Sequence, residues 1–309
     1  MKILAPISRY TELPALIKNG ADEFYMGIFS QDWHKKNQFY NHLNRRDNIL
    51  ANTTSFLEAK QVINSARKNN KKVNVVFNTD TIFSGTHQIN NELKKIIEIK
   101  PDAIIAKDPI IIKLIRKLTK SLPIHLSSLD QVINTKSAQF WCKNFKINRI
   151  ILPRNLTINE ISNLAKNLPQ IEFEVFIYDD NCSNIDGLCS SIHFMKPDGI
   201  EFVCEREPLY TSIDKKLEKN FQTIIRQKTL CRACFLSLFK EQKNIVSGKI
   251  VGRDRSARDK GLMVLFIKQA QNIAQNYPNH LQFQKKAKLL HQIIFKKNYC
   301  HICPYAPKD

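Results

Sequence analysis

The sequence of 309 residues lacks any run of 18 or more apolar residues, so it predicts no membrane-spanning helix. The apolar stretch after Met1 is shorter than that of a secretory signal peptide and is typical of a first β-strand instead. Export is therefore not expected, and we expect a cytoplasmic protein. In a reducing compartment, metal binding or redox chemistry explains the eight cysteines better than disulfides do.

Motifs of several enzyme classes are also missing. No glycine-rich loop follows a predicted strand, which disfavours a dinucleotide site of the Rossmann type. The sequence contains neither the G-x-S-x-G motif of serine hydrolases nor the H-E-x-x-H motif of zinc peptidases. His125, at the end of a predicted strand, is the candidate base for a peptidase, and a packed strand residue is the alternative interpretation.

Acidic residues are scarce, since 28 Asp and Glu stand against 48 Lys and Arg and leave a formal charge of +20. The excess is concentrated in residues 215–309, which hold 20 basic and 5 acidic residues. A basic surface attracts polyanions, so RNA is a candidate partner of this C-terminal segment. Compositional drift toward lysine is the alternative explanation.

The first two thirds of the chain contain a regular alternation of strand-like and helix-like segments. Short β-branched runs such as 73–78 and 172–177 alternate with amphipathic stretches such as 55–69. Seven strands, each followed by a helix, predict a TIM-like (β/α) barrel rather than an open sheet. We therefore predict a barrel domain over residues 1–255 and a small basic helical extension over residues 256–309.

Local signals predict the ends of several helices. Ser55 and Thr157 precede amphipathic stretches and are followed three residues later by glutamate, the pattern of a capping box. Asp108 is expected to cap a helix that begins at Pro109. A further helix is expected over residues 130–145. Residues 30–54 are polar and irregular and predict a long loop.

The second half of the chain is rich in cysteine. Its seven cysteines are Cys182, Cys189, Cys204, Cys231, Cys234, Cys300 and Cys303. The 231/234 and 300/303 pairs have C-x-x-C spacing, which lets two thiolates bind one ion. All-cysteine ligation suits structural zinc or an iron–sulfur cluster. The eighth, Cys142, is predicted to be a small core residue.

Two ligand sets fit this spacing. The two C-x-x-C pairs would close a four-cysteine zinc site, with 65 residues between the pairs. Alternatively, Cys182, Cys189 and Cys204 would hold a cluster with one of Cys231 and Cys234. Cys182 and Cys189 directly follow the seventh predicted strand, and loops after strands form the functional face of a barrel.

Two segments have the pattern of a known protein family. Residues 174–191 contain a strand, a cysteine, and then glycine-x-cysteine followed by small residues; residues 248–253 contain Lys-Ile-x-Gly-Arg. In both, the chain resembles the collagenase-like peptidase family of unassigned catalytic type, and the match extends over nearly its whole length. It departs from the family at residues 154–156, where Arg-Asn-Leu replaces the common Arg-Glu-Leu, and at Leu188, which replaces a common arginine.

The resemblance implies a barrel fold and, as in several members, a 4Fe-4S cluster held by four cysteines. The first two ligands would match Cys182 and Cys189, the third Cys204, and the fourth Cys231 or Cys234. It also implies oxygen-independent hydroxylation of tRNA or rRNA bases, or of a small aromatic quinone precursor. A paralogous subunit is a candidate partner.

Three functional hypotheses follow. The first is an iron–sulfur protein that modifies RNA, in which Lys249, Arg253 and His125 are candidate substrate-binding residues. Guanidinium groups suit phosphates and carboxylates, whereas a solvated basic loop is the alternative interpretation of Arg253. The second is a peptidase, supported by the family label alone. The third is a zinc-stabilised RNA-binding module without catalysis.

Overall fold

A closed barrel of eight parallel strands forms the body of the protein in a computed structural model. The structure describes residues 1–36, 43–46, 49–79, 86–179, 186–187 and 230–296. Around the barrel, the strands are β1 (Lys2–Pro6), β2 (Glu23–Ile28), β4 (Lys72–Val76), β5 (Ala103–Ala106), β6 (Ile124–Leu126), β7 (Arg149–Ile151), β8 (Glu172–Asp179) and β10 (Ile245–Ile250). Pairing of β10 with β1 closes the ring, so the predicted TIM-like fold is confirmed.

Two short strands lie outside the ring. β3 (Asn52–Thr53) pairs in parallel with the end of β2, and β9 (Leu230–Cys231) pairs antiparallel with the end of β8. The helices are α1 (Leu13–Lys18), α2 (Gln31–Lys36), α3 (Phe56–Lys68), α4 (Thr86–Glu98), α5 (Pro109–Leu118), α6 (Thr135–Phe145), α7 (Ile158–Asn167), α8 (Phe235–Leu238), α9 (Ala257–Asn276) and α10 (His280–Phe295). Within the described ranges, none of these helices has the length and apolar character needed to span a membrane.

Side chains of the barrel strands alternate between two apolar clusters. Outward-facing residues such as Ile3, Phe24 and Val75 pack beneath the helices in one large core. A separate cluster fills the barrel interior and consists of Leu4, Tyr25, Val76, Ile105, Ile151, Phe176 and Val251. Because successive strand residues point to opposite faces, residues two positions before these also face the interior.

Local capping signals formed largely as predicted. Asp108 accepts hydrogen bonds from the backbone N of Ile110 at 2.7 Å, and Thr157 forms the expected capping box with Glu160. Ser55 caps α3, but the Glu58 carboxylate accepts from Thr54 rather than from the Ser55 backbone, so that capping box is incomplete.

Two local predictions were wrong, and one barrel strand was missed. The helix expected over 130–145 begins only at Thr135, because Asn134 forms a capping box there and Gln131 has a positive φ of 48°. The loop expected over 30–54 contains α2 and β3. The strand β10 was not recognised, because its inward positions carry polar side chains such as Ser247 and Lys249.

Helix α9 follows β10 and packs against β1 and α1. Its buried Lys260 pairs with Glu12, and the Asn19 amide donates to the carbonyl of Gly261 at 3.0 Å. Helix α10 packs on α9. These contacts attach the basic C-terminal helices to the barrel. The domain boundary predicted at residue 255 stays a prediction.

Candidate metal centre at the carboxyl end of the barrel

Strand β9 brings one C-x-x-C pair to the carboxyl end of β8. Cys231 lies opposite Tyr178, and Cys234 follows three residues later, immediately before α8. Both thiols are half-buried and pack against the core. Beside them is a small cavity of about 20 Å³, lined also by Phe266 and Ala287, which is room for a single water molecule.

A second segment, Asp186–Gly187, lies in the sequence between Cys182 and Cys189. The Arg154 guanidinium, three residues after β7, forms an ion pair with the Asp186 carboxylate, and the Arg154 backbone N donates to the same carboxylate at 3.3 Å. The Gln131 amide also donates to the Asp186 carbonyl. A side chain at Gly187 would overlap the carbonyl oxygen of Leu129, so this turn sits closely against the barrel end.

Arg154 contacts both of these segments. Its carbonyl accepts a hydrogen bond at 2.9 Å from Nη1 of Arg232, the buried residue between Cys231 and Cys234. Its guanidinium lies 4.5 Å from the centroid of the Phe176 ring, a cation–π arrangement that restricts the direction of the side chain. One residue therefore joins the C-x-x-C pair to the turn between two other candidate ligands.

Two of the seven candidate cysteine ligands, Cys231 and Cys234, belong to the described residues. Cys182, Cys189, Cys204, Cys300 and Cys303 lie outside the described residues. Within the described ranges, no group of three or more His, Cys, Asp or Glu side chains is placed to hold a metal ion. The two described donors fit a thiophilic centre, because they are thiols whose cavity is lined mainly by apolar side chains beside Gln284 and Lys288. Such donors suit zinc and iron–sulfur clusters alike.

Cys142 is remote from this site in sequence and lies on α6. It is half-buried against the core, and burial raises the pKa of its thiol to about 11. A thiol that resists deprotonation is a poor metal ligand. Its environment agrees with the expected role of a small core residue.

Arg253 lies three residues after the end of β10 and is only 4% exposed. Its guanidinium donates to Asn52 Oδ1 at 3.1 Å and to Asn44 Oδ1 at 2.7 Å. The alternative of a solvated basic loop is therefore wrong for this residue. A side chain at Gly27 would overlap both Asn52 and Arg253, which explains why glycine occupies the end of β2.

Lys249 and His125 lie deeper, inside the barrel. Lys249 Nζ is 2.9 Å from Glu174 Oε1 and 4.0 Å from the centroid of the Tyr25 ring. Burial, and then the charges of Arg149 and two lysines, lower the pKa of His125 well below its usual value. Its Nδ1 has no hydrogen-bond partner in the described part of the chain.

The interior apolar cluster separates these residues from the mouth. Each charged residue precedes a cluster member by two positions: Arg149 before Ile151, Glu174 before Phe176, Lys249 before Val251. The structure therefore places Lys249 and His125 together in the barrel and Arg253 apart from them at the rim. Their assignment as substrate-binding residues stays a prediction.

The family profile described as Peptidase family U32 matches residues 8–304. The chain belongs to peptidase family U32. This confirms the family resemblance drawn from the cysteine segment and the Lys-Ile-x-Gly-Arg motif.

Curated relatives of this U32 protein have two kinds of name. The tRNA hydroxylation protein P of Haemophilus influenzae is 30% identical over 188 residues, which cover 61% of this chain and 38% of that protein. An uncharacterized protease of Methanocaldococcus jannaschii is 31% identical over 202 residues, which cover 61% of this chain and 43% of that protein. The chain thus spans about two fifths of the length of these relatives.

Among solved structures, the U32 peptidase Mk0906 is similar to this U32 chain with a TM-score of 0.43 and 11% identity. The similarity covers 59% of this chain and 70% of that one.

Several residues of the U32 barrel were not singled out from the sequence. Arg149 Nη1 lies 2.8 Å from Glu23 and 3.4 Å from Glu174, and all three side chains are almost completely buried. The sequence did contain a sign of them, because each charged residue occupies an inward position in a strand whose other residues are mostly apolar. Arg154 gave no such signal, since its partners come from distant segments.

Proposed function

We propose that this U32 protein holds a 4Fe-4S cluster at the carboxyl end of its barrel and supports oxygen-independent hydroxylation of an RNA base. The observation that carries the proposal is the meeting at Arg154 of two segments that contain or adjoin candidate cysteines. In barrels of this type the carboxyl end of the strands is the functional face. A cluster bound there would supply one-electron transfer.

The chain's own residues favour such a centre at this end. Phe176 and the rest of the interior cluster close the barrel beneath Arg154, and Phe266 and Ala287 line the cavity beside the cysteines. Apolar surroundings limit the access of water, which influences the potential of a cluster.

RNA is the proposed substrate class for two reasons. A relative over 61% of this chain is named for tRNA hydroxylation. Four half-exposed arginines also surround the same end of the barrel: Arg45, Arg255, Arg9, which donates to the backbone carbonyls of Ser8 and Ile49, and Arg46, which pairs with Asp254. Clustered positive charges attract the phosphates of a polyanion, so this rim fits a nucleic-acid backbone.

Metal content tests the proposal first. We expect protein purified without oxygen to contain about four iron and four sulfide per chain and to absorb broadly, as clusters of this type do. Substituting Cys182, Cys189 or Cys204 by alanine is expected to abolish iron binding. Of the alanine variants at Cys231 and Cys234, one is expected to abolish iron binding as well. Cys142→Ala is the matched control and is expected to retain full iron.

A colourless protein with one zinc and no iron would contradict the redox proposal. Such a result would favour a zinc-stabilised module and the first ligand set, in which Cys231 and Cys234 bind the ion together with Cys300 and Cys303.

Salt dependence tests the RNA assignment. We expect tRNA binding to weaken steeply between 50 and 200 mM salt, by roughly tenfold or more, because several phosphate contacts release counterions. Arg45→Met is expected to reduce the salt slope, whereas Lys117→Met, at the far end of α5, leaves it unchanged. Filter binding over a salt series measures this. Affinity independent of salt would exclude RNA and favour a small aromatic substrate.

A further inference from the structure

We infer that Arg154 is a positioning residue that holds the Asp186–Gly187 turn and the Cys231-x-x-Cys234 segment together at the barrel mouth. The inference deepens the proposed function and rests on it, because it assigns a residue to the assembly of the proposed centre. Arg154 is not itself a metal ligand. Its role follows from contacts made by two different parts of the same residue.

The side chain of Arg154 fixes the first segment. Its guanidinium and its backbone N both contact the Asp186 carboxylate, whose side chain is 5% exposed. Removing one partner of an ion pair at such a site is costly, because it leaves the other charge buried and uncompensated. The hydrogen bond from the Gln131 side-chain amide to the Asp186 carbonyl and the close approach of Gly187 to Leu129 restrict the same turn.

The backbone of Arg154 fixes the second segment. Its carbonyl accepts from Arg232, which is 6% exposed and lies within the Cys231-x-x-Cys234 pair. The Arg232 backbone N in turn donates to the carbonyl of Ile177 in β8 at 2.9 Å. The C-x-x-C pair is thus attached to two adjacent barrel strands, at the end of β7 and in β8.

Prior positioning of ligands lowers the ordering cost of binding. Cysteines on separate loops must each lose conformational freedom when they bind one centre. A fixed connection between the two segments imposes this loss of conformational freedom on folding, before the metal binds. Loss of the Arg154–Asp186 pair therefore weakens retention of the centre without removing a ligand.

The test compares Arg154→Met and Asp186→Asn with wild type. Methionine keeps the length and the apolar contact with Phe176, whereas asparagine keeps the shape of Asp186. Loss of a partly buried charged hydrogen bond should accelerate release of the centre to a chelator about tenfold. The double variant should be no worse than either single variant, since both remove the same interaction.

Arg116→Met is the matched control. Arg116 also bonds two loop carbonyls through its guanidinium, those of Leu122 and Lys146 at 2.7 Å each, but at the opposite end of the barrel. We expect its rate of release to stay within about twofold of wild type. Equal release rates for Arg154→Met and Arg116→Met would overturn the inference.

A metal-free measurement separates this inference from the proposed function. In metal-free protein, Asp186→Asn should speed alkylation of Cys231 and Cys234 and amide exchange around residues 186–187, because the connection couples both segments. Wild type that binds no metal would refute the proposed centre, yet faster alkylation would still support the connection. Unchanged alkylation and exchange in Asp186→Asn and Arg154→Met would refute the connection even if wild type binds iron.

Discussion

Replacing Arg149 by methionine is expected to lower the free energy of unfolding by about 3 kcal/mol, the lower end of the range for a broken buried charge pair. Arg149 lies between Glu23 and Glu174, whose side chains are 2% and 0% exposed. Without the guanidinium, two buried carboxylates face each other. Lys2 and Lys249 still pair with one carboxylate each, which is why the lower end applies.

Urea unfolding measures this loss, with Glu172→Gln as the control. Glu172 also contacts Arg149, at 3.2 Å, but its side chain is 51% exposed. We expect that change to cost less than about 1 kcal/mol, as for other exposed ion pairs. A loss for Arg149→Met no larger than that of the control would show that the interior pairs do not stabilise the barrel.

Acid sensitivity gives a second measure of the same network. Burial alone would raise the pKa of Glu23, but the hydrogen bonds and charges of Arg149 and Lys2 outweigh it and lower the pKa below 4.5. A lowered pKa gives stability that is present above pH 4.5 and is lost as the pH falls through the folded-state pKa. Arg149→Met should flatten this acid dependence.

The second large effect is expected for Lys260→Met on α9, with a loss of about 3–5 kcal/mol. The Lys260 side chain is fully buried, and its Nζ lies 2.9 and 3.0 Å from the two Glu12 carboxylate oxygens and 2.6 Å from Ser8 Oγ. Its removal takes from the buried Glu12 carboxylate the cation with which it pairs.

Lys268→Met on the same helix is the matched control, because Lys268 is half-buried and makes no ion pair in the described part of the chain. Adding Glu12→Gln to Lys260→Met should recover part of the loss, since it removes the uncompensated charge. Thermal and urea unfolding report both changes. A Lys260→Met protein as stable as Lys268→Met would contradict the expectation.

Hydrogen bonds also connect the Lys260–Glu12 ion pair to the barrel mouth. Ser8 accepts at Oγ from Lys260, donates from its backbone N to Glu12 at 3.0 Å, and donates through Oγ to the carbonyl of Arg253 at 2.9 Å. Arg253 in turn holds Asn44 and Asn52. Loosening of α9 should therefore disturb the arginine-bearing rim as well as the fold.

The sequence by itself determined the features that depend on neighbours along the chain. Alternation of β-branched and amphipathic segments was enough to predict the (β/α) barrel, because periodicity sets which face each element buries. Caps at Asp108 and Thr157 formed as predicted, since a cap involves residues only a few positions apart. The cysteine segment and the Lys-Ile-x-Gly-Arg motif were enough to indicate the family.

Only the tertiary structure decided which distant residues meet. Arg149 and Glu23 are 126 residues apart, and Arg253 and Asn44 are 209 apart, yet each pair shares a hydrogen bond. Such contacts depend on the register and closure of the barrel, which no local pattern specifies. For the same reason, spacing predicts a metal site at the cysteines, which stays a prediction, whereas only the fold shows that Arg154 contacts both the C-x-x-C pair and the turn between Cys182 and Cys189.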